Sequence, residues 1–142
     1  MRILVYFMIV LSFLGCGSGD DPNTPIDKEI PQFQITEPVE NQTLSKGEYI
    51  ELSGTLTDDV KLDKLIVTLV NQSTKAGNGI DDPWQPEAYC IDLDTKEKEL
   101  KAYRLFDQAI PTDCLAGSYN LKLQLFDAVG NEAILNLLLT IQ

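Results

Sequence analysis

The chain contains no histidine, and that absence removes much of ordinary enzyme chemistry. A Ser-His-Asp or Cys-His constellation is excluded outright. Basic residues are scarce as well: 11 Lys and Arg stand against 22 Asp and Glu, a net charge of −11. Phosphate backbones and anionic lipid surfaces repel such a chain, so nucleic acid is not expected as a partner and surface charge does not hold it to a membrane. A carboxylate pair of the glycosidase kind could still do acid and base work. A domain of this size has little room for the walled cleft that such a pair needs, and scattered acids are usually solvation, so no enzyme is expected. Long apolar runs are missing but for one, the 12 residues Ile3 to Leu14, too short to span a bilayer in comfort.

That run follows Arg2 and sits where the apolar region of a signal peptide sits. Phe13-Leu14-Gly15-Cys16 behind it resembles the lipobox of bacterial lipoproteins, with Phe13 in place of the usual Leu. The resemblance implies cleavage after residue 15, an acylated Cys16 as the mature N-terminus, and membrane contact through the acyl chains alone. Residues 17–30 hold Gly, Ser, Asp, Asn and Pro and no aromatic residue, the composition of a solvated tether. Asp20 and Asp21 resemble the acid-rich surface-export signal of Bacteroidetes lipoproteins, although a spacer acidic by composition reads the same way. Gly17 rather than Asp follows Cys16, so by analogy the inner-membrane retention signal is absent. The expected organisation is residues 1–15 signal peptide, 16–30 lipidated cysteine and flexible acidic tether, and 31–142 one domain, anchored to the outer membrane and open to display on the cell surface.

From Pro31 onward, short alternating runs are separated by turn residues, the pattern of an antiparallel β-sandwich. Strands are expected at Phe33 and Ile35, Glu48 to Thr57, Leu62 to Val70 (apolar on both faces), Ala88 to Leu93, Leu100 to Phe106, Tyr119 to Leu125 and Ala133 to Ile141. Tyr119, Leu121, Leu123 and Leu125 alternate with Asn120, Lys122 and Gln124, the period of a strand with one buried face. Residues 71–87 carry no such period and read as one long loop.

A Tyr at the start of a strand, after a turn containing Gly117, resembles the tyrosine corner of immunoglobulin-like sandwiches. The C-terminal run GSYNLKLQLFDAVGNEAILNLLLTIQ resembles the last hairpin of bacterial immunoglobulin-like domains: G-x-Y, an alternating strand, D-x-x-G-N and a final strand. With the lipobox, the Pro31 to Pro38 start, Trp84 and Ile110-Pro111, the chain resembles Bacteroidetes lipoproteins of the domain-of-unknown-function 4625 type. The resemblance implies an all-β, immunoglobulin-like antiparallel sandwich of about seven strands. Members of that type carry histidines that this chain lacks, so a metal role resting on them is not carried over. Leu121 stands where an antibody domain has its second core cysteine.

Cys90 and Cys114 form an even pair in an exported protein, and the expected strand order returns the chain to the same end of the sandwich, so a Cys90–Cys114 disulfide is expected. Trp84, the only tryptophan, with nearby Tyr89 is either a platform for a sugar or protein partner or a plug closing one end of the core. Asp58, Asp59 and Asp94 in turns, and Asp127 with Asn131 in the last hairpin, fall on loops that a sandwich brings together, where they could hold calcium. Asp and Asn are also the default turn residues, and turn geometry alone accounts for Asp127-x-x-Gly130-Asn131, so no cofactor is assigned. The reading that results is a non-catalytic, lipid-anchored envelope module that binds or assembles with an envelope protein or glycan. Its alternatives are a carbohydrate- or calcium-binding surface module, and a structural stalk or small hydrolase.

Overall fold

The computed structural model describes residues 27–72 and 82–142. The signal segment, Cys16, Asp20, Asp21 and residues 73–81 of the long loop lie outside the described residues. Eight strands make two sheets: β1 (Gln32–Glu37), β3 (Glu51–Thr57) and β6 (Glu97–Arg104) in the order β1-β3-β6, and β2 (Gln42–Leu44), β4 (Leu62–Asn71), β5 (Tyr89–Asp92), β7 (Gly117–Asp127) and β8 (Glu132–Ile141) in the order β2-β8-β7-β4-β5. All pairings are antiparallel except β2 with β8. With β1, β3 and β6 as strands A, B and E, and β4, β7 and β8 as C, F and G, this is the immunoglobulin-like sandwich, β5 taking the place next to C. The first strand is divided between the sheets, the chain crossing at Pro38.

The alternation in β7 decides how the sheets face each other. Tyr119, Leu121, Leu123 and Leu125 are fully buried. Asn120, Lys122 and Gln124 point the other way, and Asn120 donates to Asn136 (3.0 Å) while Gln124 donates to Glu132 (2.7 Å) across the β7–β8 ladder. Leu65, Val67 and Leu69 of β4, Leu137, Leu139 and Ile141 of β8, and Leu52 and Leu56 of β3 complete the core. Only the inner face of β4 is fully buried: Ile66 and Thr68 are half-buried and Val70 is 49% exposed. Among the described residues no layer covers that outer face, as one-sided antiparallel sheets allow.

The tyrosine corner is present. The Tyr119 hydroxyl donates to the Leu115 carbonyl four residues upstream (2.6 Å) and accepts from the Trp84 amide (3.2 Å), and so ties two loops to the start of β7. At the other sheet Gly54 allows β1 to approach β3. Its φ is +148°, and a Cβ there would stand 2.4 Å from the Gln34 carbonyl oxygen and 2.8 Å from the Ile35 Cα.

In the strands and the chain leading into them, the structure departs from the sequence reading at β2, at β6 and at residues 27–30. β2 adds an eighth strand, three residues long, too short to show a period and held by its parallel ladder to β8. β6 starts at Glu97, ahead of the Leu100 start expected, because β6 is an edge strand whose charges face solvent while Leu100 faces the core. Residues 27–30, expected as the end of the tether, are held to the domain: the Asn131 amide donates to the carbonyls of Glu29 (2.9 Å) and Asp27 (3.4 Å).

Candidate functional site

Strand direction sorts the candidate residues into two ends. β4 runs from Leu62 to Asn71 and β7 returns from Gly117 to Asp127, with Leu62 opposite Asp127 and Asn71 opposite Tyr119. The turns at 58–61, 93–96 and 128–131 therefore share one end with residues 27–31, and the described residues 72, 82–88 and 105–116 share the other.

At the loop end, Trp84 is a plug. It is 7% exposed, its ring meets Phe106 edge-on at 5.7 Å, and its amide is bound by Tyr119. Of the two readings open for Trp84, its burial fits the plug and not the platform: the short Pro83-Trp84-Gln85-Pro86 segment, tied at Asp82 by the Leu115 amide (2.8 Å), lays the indole over the end of the core. Tyr89 is half-buried. Its ring lies 6.4 Å from Tyr103 and 6.1 Å from Phe106, bridging the edges of the two sheets, and its hydroxyl donates to Asp107 (3.0 Å). The Tyr103 hydroxyl, burial and the Asp107 carboxylate all hold the Tyr89 phenol above the ordinary tyrosine range. Tyr103, Phe106 and Asp107 escaped sequence reasoning. The last two sit at positive φ, a feature without a mark in residue type for Phe. An open depression of about 310 Å³ lies beside Trp84, lined by Asp82, Gln85, Pro111 and Asp113 among others.

The expected Cys90–Cys114 disulfide is not formed. Both residues do lie toward the loop end, but side-chain facing separates them. The alternation of β5 turns Tyr89 and Ile91 inward and Cys90 outward, where its thiol lies 4.0 Å from Asp92, whereas Cys114 is 4% exposed within the core.

At the acidic end, the five residues singled out for calcium do not act together. Asp127 is 2% exposed and is consumed by its own turn: one carboxylate oxygen accepts from the amides of Val129 (2.9 Å), Gly130 (2.6 Å) and Asn131 (2.8 Å), and the other accepts from the Asn131 side chain (2.6 Å). The turn reading of Asp127-x-x-Gly130-Asn131 therefore holds, and Asp127 and Asn131 leave the proposed ligand set. Asp94 pairs with Lys61, whose amine it holds above the usual lysine range by hydrogen bonding and charge. Asp58 uses one oxygen to accept from the amides of Val60 (3.0 Å) and Lys61 (2.6 Å), which shapes the β3–β4 turn. Asp59 is exposed beside it. Asp27, which the tether composition hid, joins these two: one carboxylate oxygen from each of Asp27, Asp58 and Asp59 lies within 4.8 Å of the others.

Residues 15–142 match the family described as a domain of unknown function, DUF4625, and the chain belongs to that family. No curated protein matches the chain.

Proposed function

We propose that this member of the DUF4625 family is a lipid-anchored module of the bacterial cell envelope that binds or assembles with a partner and performs no chemistry itself. The observation that carries the reading is polarity along the sandwich. The segment that follows Cys16 joins the domain at the acidic end, through Asp27 and Glu29 held by Asn131, while Trp84 and the Tyr89–Asp107 pair stand at the opposite end. A ten-residue strand such as β4 places the two ends about 30 Å apart. An anchor at Cys16 thus leaves the loop end pointing away from the membrane, the natural side for a partner. The lipobox-like junction at Phe13 to Cys16 supports the anchor, and the lack of histidine supports a non-catalytic role. A glycan is the second reading for the partner, favoured by the half-buried Tyr89 and Tyr103 rings beside the Asp107 carboxylate.

The test is fractionation of cells that express Cys16→Ser, with a photo-cross-linking residue placed in the wild-type chain at exposed Gln85 or, as a control, at exposed Asp59. The serine variant should leave the membrane fraction, because no second anchor is expected after cleavage of the apolar run. A discrete adduct should form from position 85 and not from 59. Variant protein that stays in membranes refutes the anchor; adducts from 59 alone refute the orientation.

A further inference from the structure

We infer that Asp27, Asp58 and Asp59 form a calcium site at the acidic end of the sandwich. This goes beyond the proposed function and does not depend on the lipid anchor. An acidic cluster alone would be ordinary surface, but two features mark this one. Asp58 is nine-tenths buried, and its second carboxylate oxygen has no hydrogen-bond partner; neither has one oxygen of Asp27. Buried carboxylate oxygens are normally satisfied, so a pair of orphans from chain segments about thirty residues apart, brought together with a third carboxylate, calls for something positive between them.

Among the described residues, no ion pair engages these carboxylates. Lys61 pairs with Asp94, Lys64 with Asp63, Lys101 with Glu99 and Arg104 with Glu51, none of them in the cluster. Lys96 comes near, but its ammonium donates to the Asp59 backbone carbonyl (2.6 Å). The donors are all oxygens, the preference of a hard cation. Calcium–oxygen bonds of about 2.3–2.6 Å place two ligands of one ion as much as about 5 Å apart, a span that covers the 4.8 Å cluster. Magnesium, at about 2.0–2.1 Å and with strict octahedral geometry, draws its ligands closer than that upper span. Asp58 and Asp59 also line an open depression of about 260 Å³ with Glu29, Gln32 and Thr57, room for the water ligands that complete a coordination shell of about six to eight oxygens. With three protein carboxylates and the rest water, the site belongs to the weak class typical of extracellular modules, with Kd of about 10⁻⁴–10⁻³ M.

The experiment is thermal unfolding of the purified protein, first stripped with EDTA, during titration with CaCl2 and, separately, with MgCl2 and with NaCl of matched ionic strength. Calcium at about tenfold Kd should raise Tm by roughly 5 °C, with the other two salts producing at most a small part of that shift. Asp58→Asn keeps the oxygen that accepts from Val60 and Lys61, and should abolish the calcium-specific rise. Asp27→Asn lies outside every strand and should abolish it too, and it decides the matter if the Asp58 variant fails to fold. Asp113→Asn at the far end should leave the rise intact. The site is overturned if calcium raises Tm no more than NaCl does, if magnesium matches calcium, or if the rise survives in Asp27→Asn.

Discussion

Tyr119→Phe removes a single oxygen and tests whether the corner holds the loop end together. The side chain is fully buried, so the ring keeps its packing and the change is confined to the hydroxyl. Two hydrogen bonds go with it: the one donated to the Leu115 carbonyl (2.6 Å) and the one accepted from the Trp84 amide (3.2 Å). Each typical intramolecular bond contributes about 1 kcal/mol net, and a buried group left unsatisfied adds a desolvation penalty, so the loss is about 2–3 kcal/mol. In a domain of this size that lowers Tm by about 10 °C. Urea unfolding followed by the fluorescence of Trp84 suits the assay, because the only tryptophan sits on one of the two broken bonds. The midpoint should fall while the slope stays constant, the signature of lost stability without a changed unfolded state. A loss under about 0.5 kcal/mol would refute the reasoning, showing that neither loop depends on the hydroxyl.

Gly54→Ala should destabilise by about 3 kcal/mol or prevent folding, since the new Cβ meets backbone atoms of β1 at 2.4 Å and 2.8 Å at a left-handed φ; a urea midpoint within error of wild type would refute the close approach. Tyr89 predicts a pH effect of definite sign. Its folded pKa is raised above the ordinary 10.0 by Tyr103, burial and Asp107, so its contribution is complete below about pH 10 and is lost as pH rises further, when the unfolded chain releases the proton first. The stability gap between wild type and Tyr89→Phe should therefore narrow above that pH, and parallel urea midpoints across the range would show that the phenol is not held protonated.

Elements with a full period and a marked turn at each end were legible in the sequence. β7 and β8 show this: eleven and ten residues, clean alternation, and turn residues whose bonding the structure reproduces. The tyrosine corner was legible because its parts are local, a Tyr four residues from the carbonyl it binds. β2 was not, because three residues carry no period and its stability comes from a parallel partner almost a hundred positions away. Trp84 could be placed in a loop but not oriented: proline-flanked aromatics fold inward or outward according to whether the core beneath them is open, and here Phe106 and Tyr119 receive it. The cysteines were brought to the correct end and still do not bridge, since a disulfide depends on which way each side chain faces, and only Cys90 lay in a strand whose alternation announced its direction.

Asp27 is the sharpest case of a residue hidden by its surroundings, because acids near it made it part of a tether by composition. What gives it a fixed place is Asn131, 104 positions later. The last hairpin can be explained as a turn and nothing more, yet once Asp127 has accepted the three amides of the turn, its remaining oxygen takes one contact from the Asn131 side chain, and the same side-chain nitrogen reaches the carbonyls of Asp27 and Glu29. A turn residue thus fixes the direction of an amide, the amide fixes the chain that leads into the domain, and that chain delivers the Asp27 carboxylate beside Asp58 and Asp59. The residues first singled out for calcium are therefore divided by role: in the inferred site Asp58 and Asp59 would supply oxygens, while Asp127 and Asn131 hold the chain that carries Asp27.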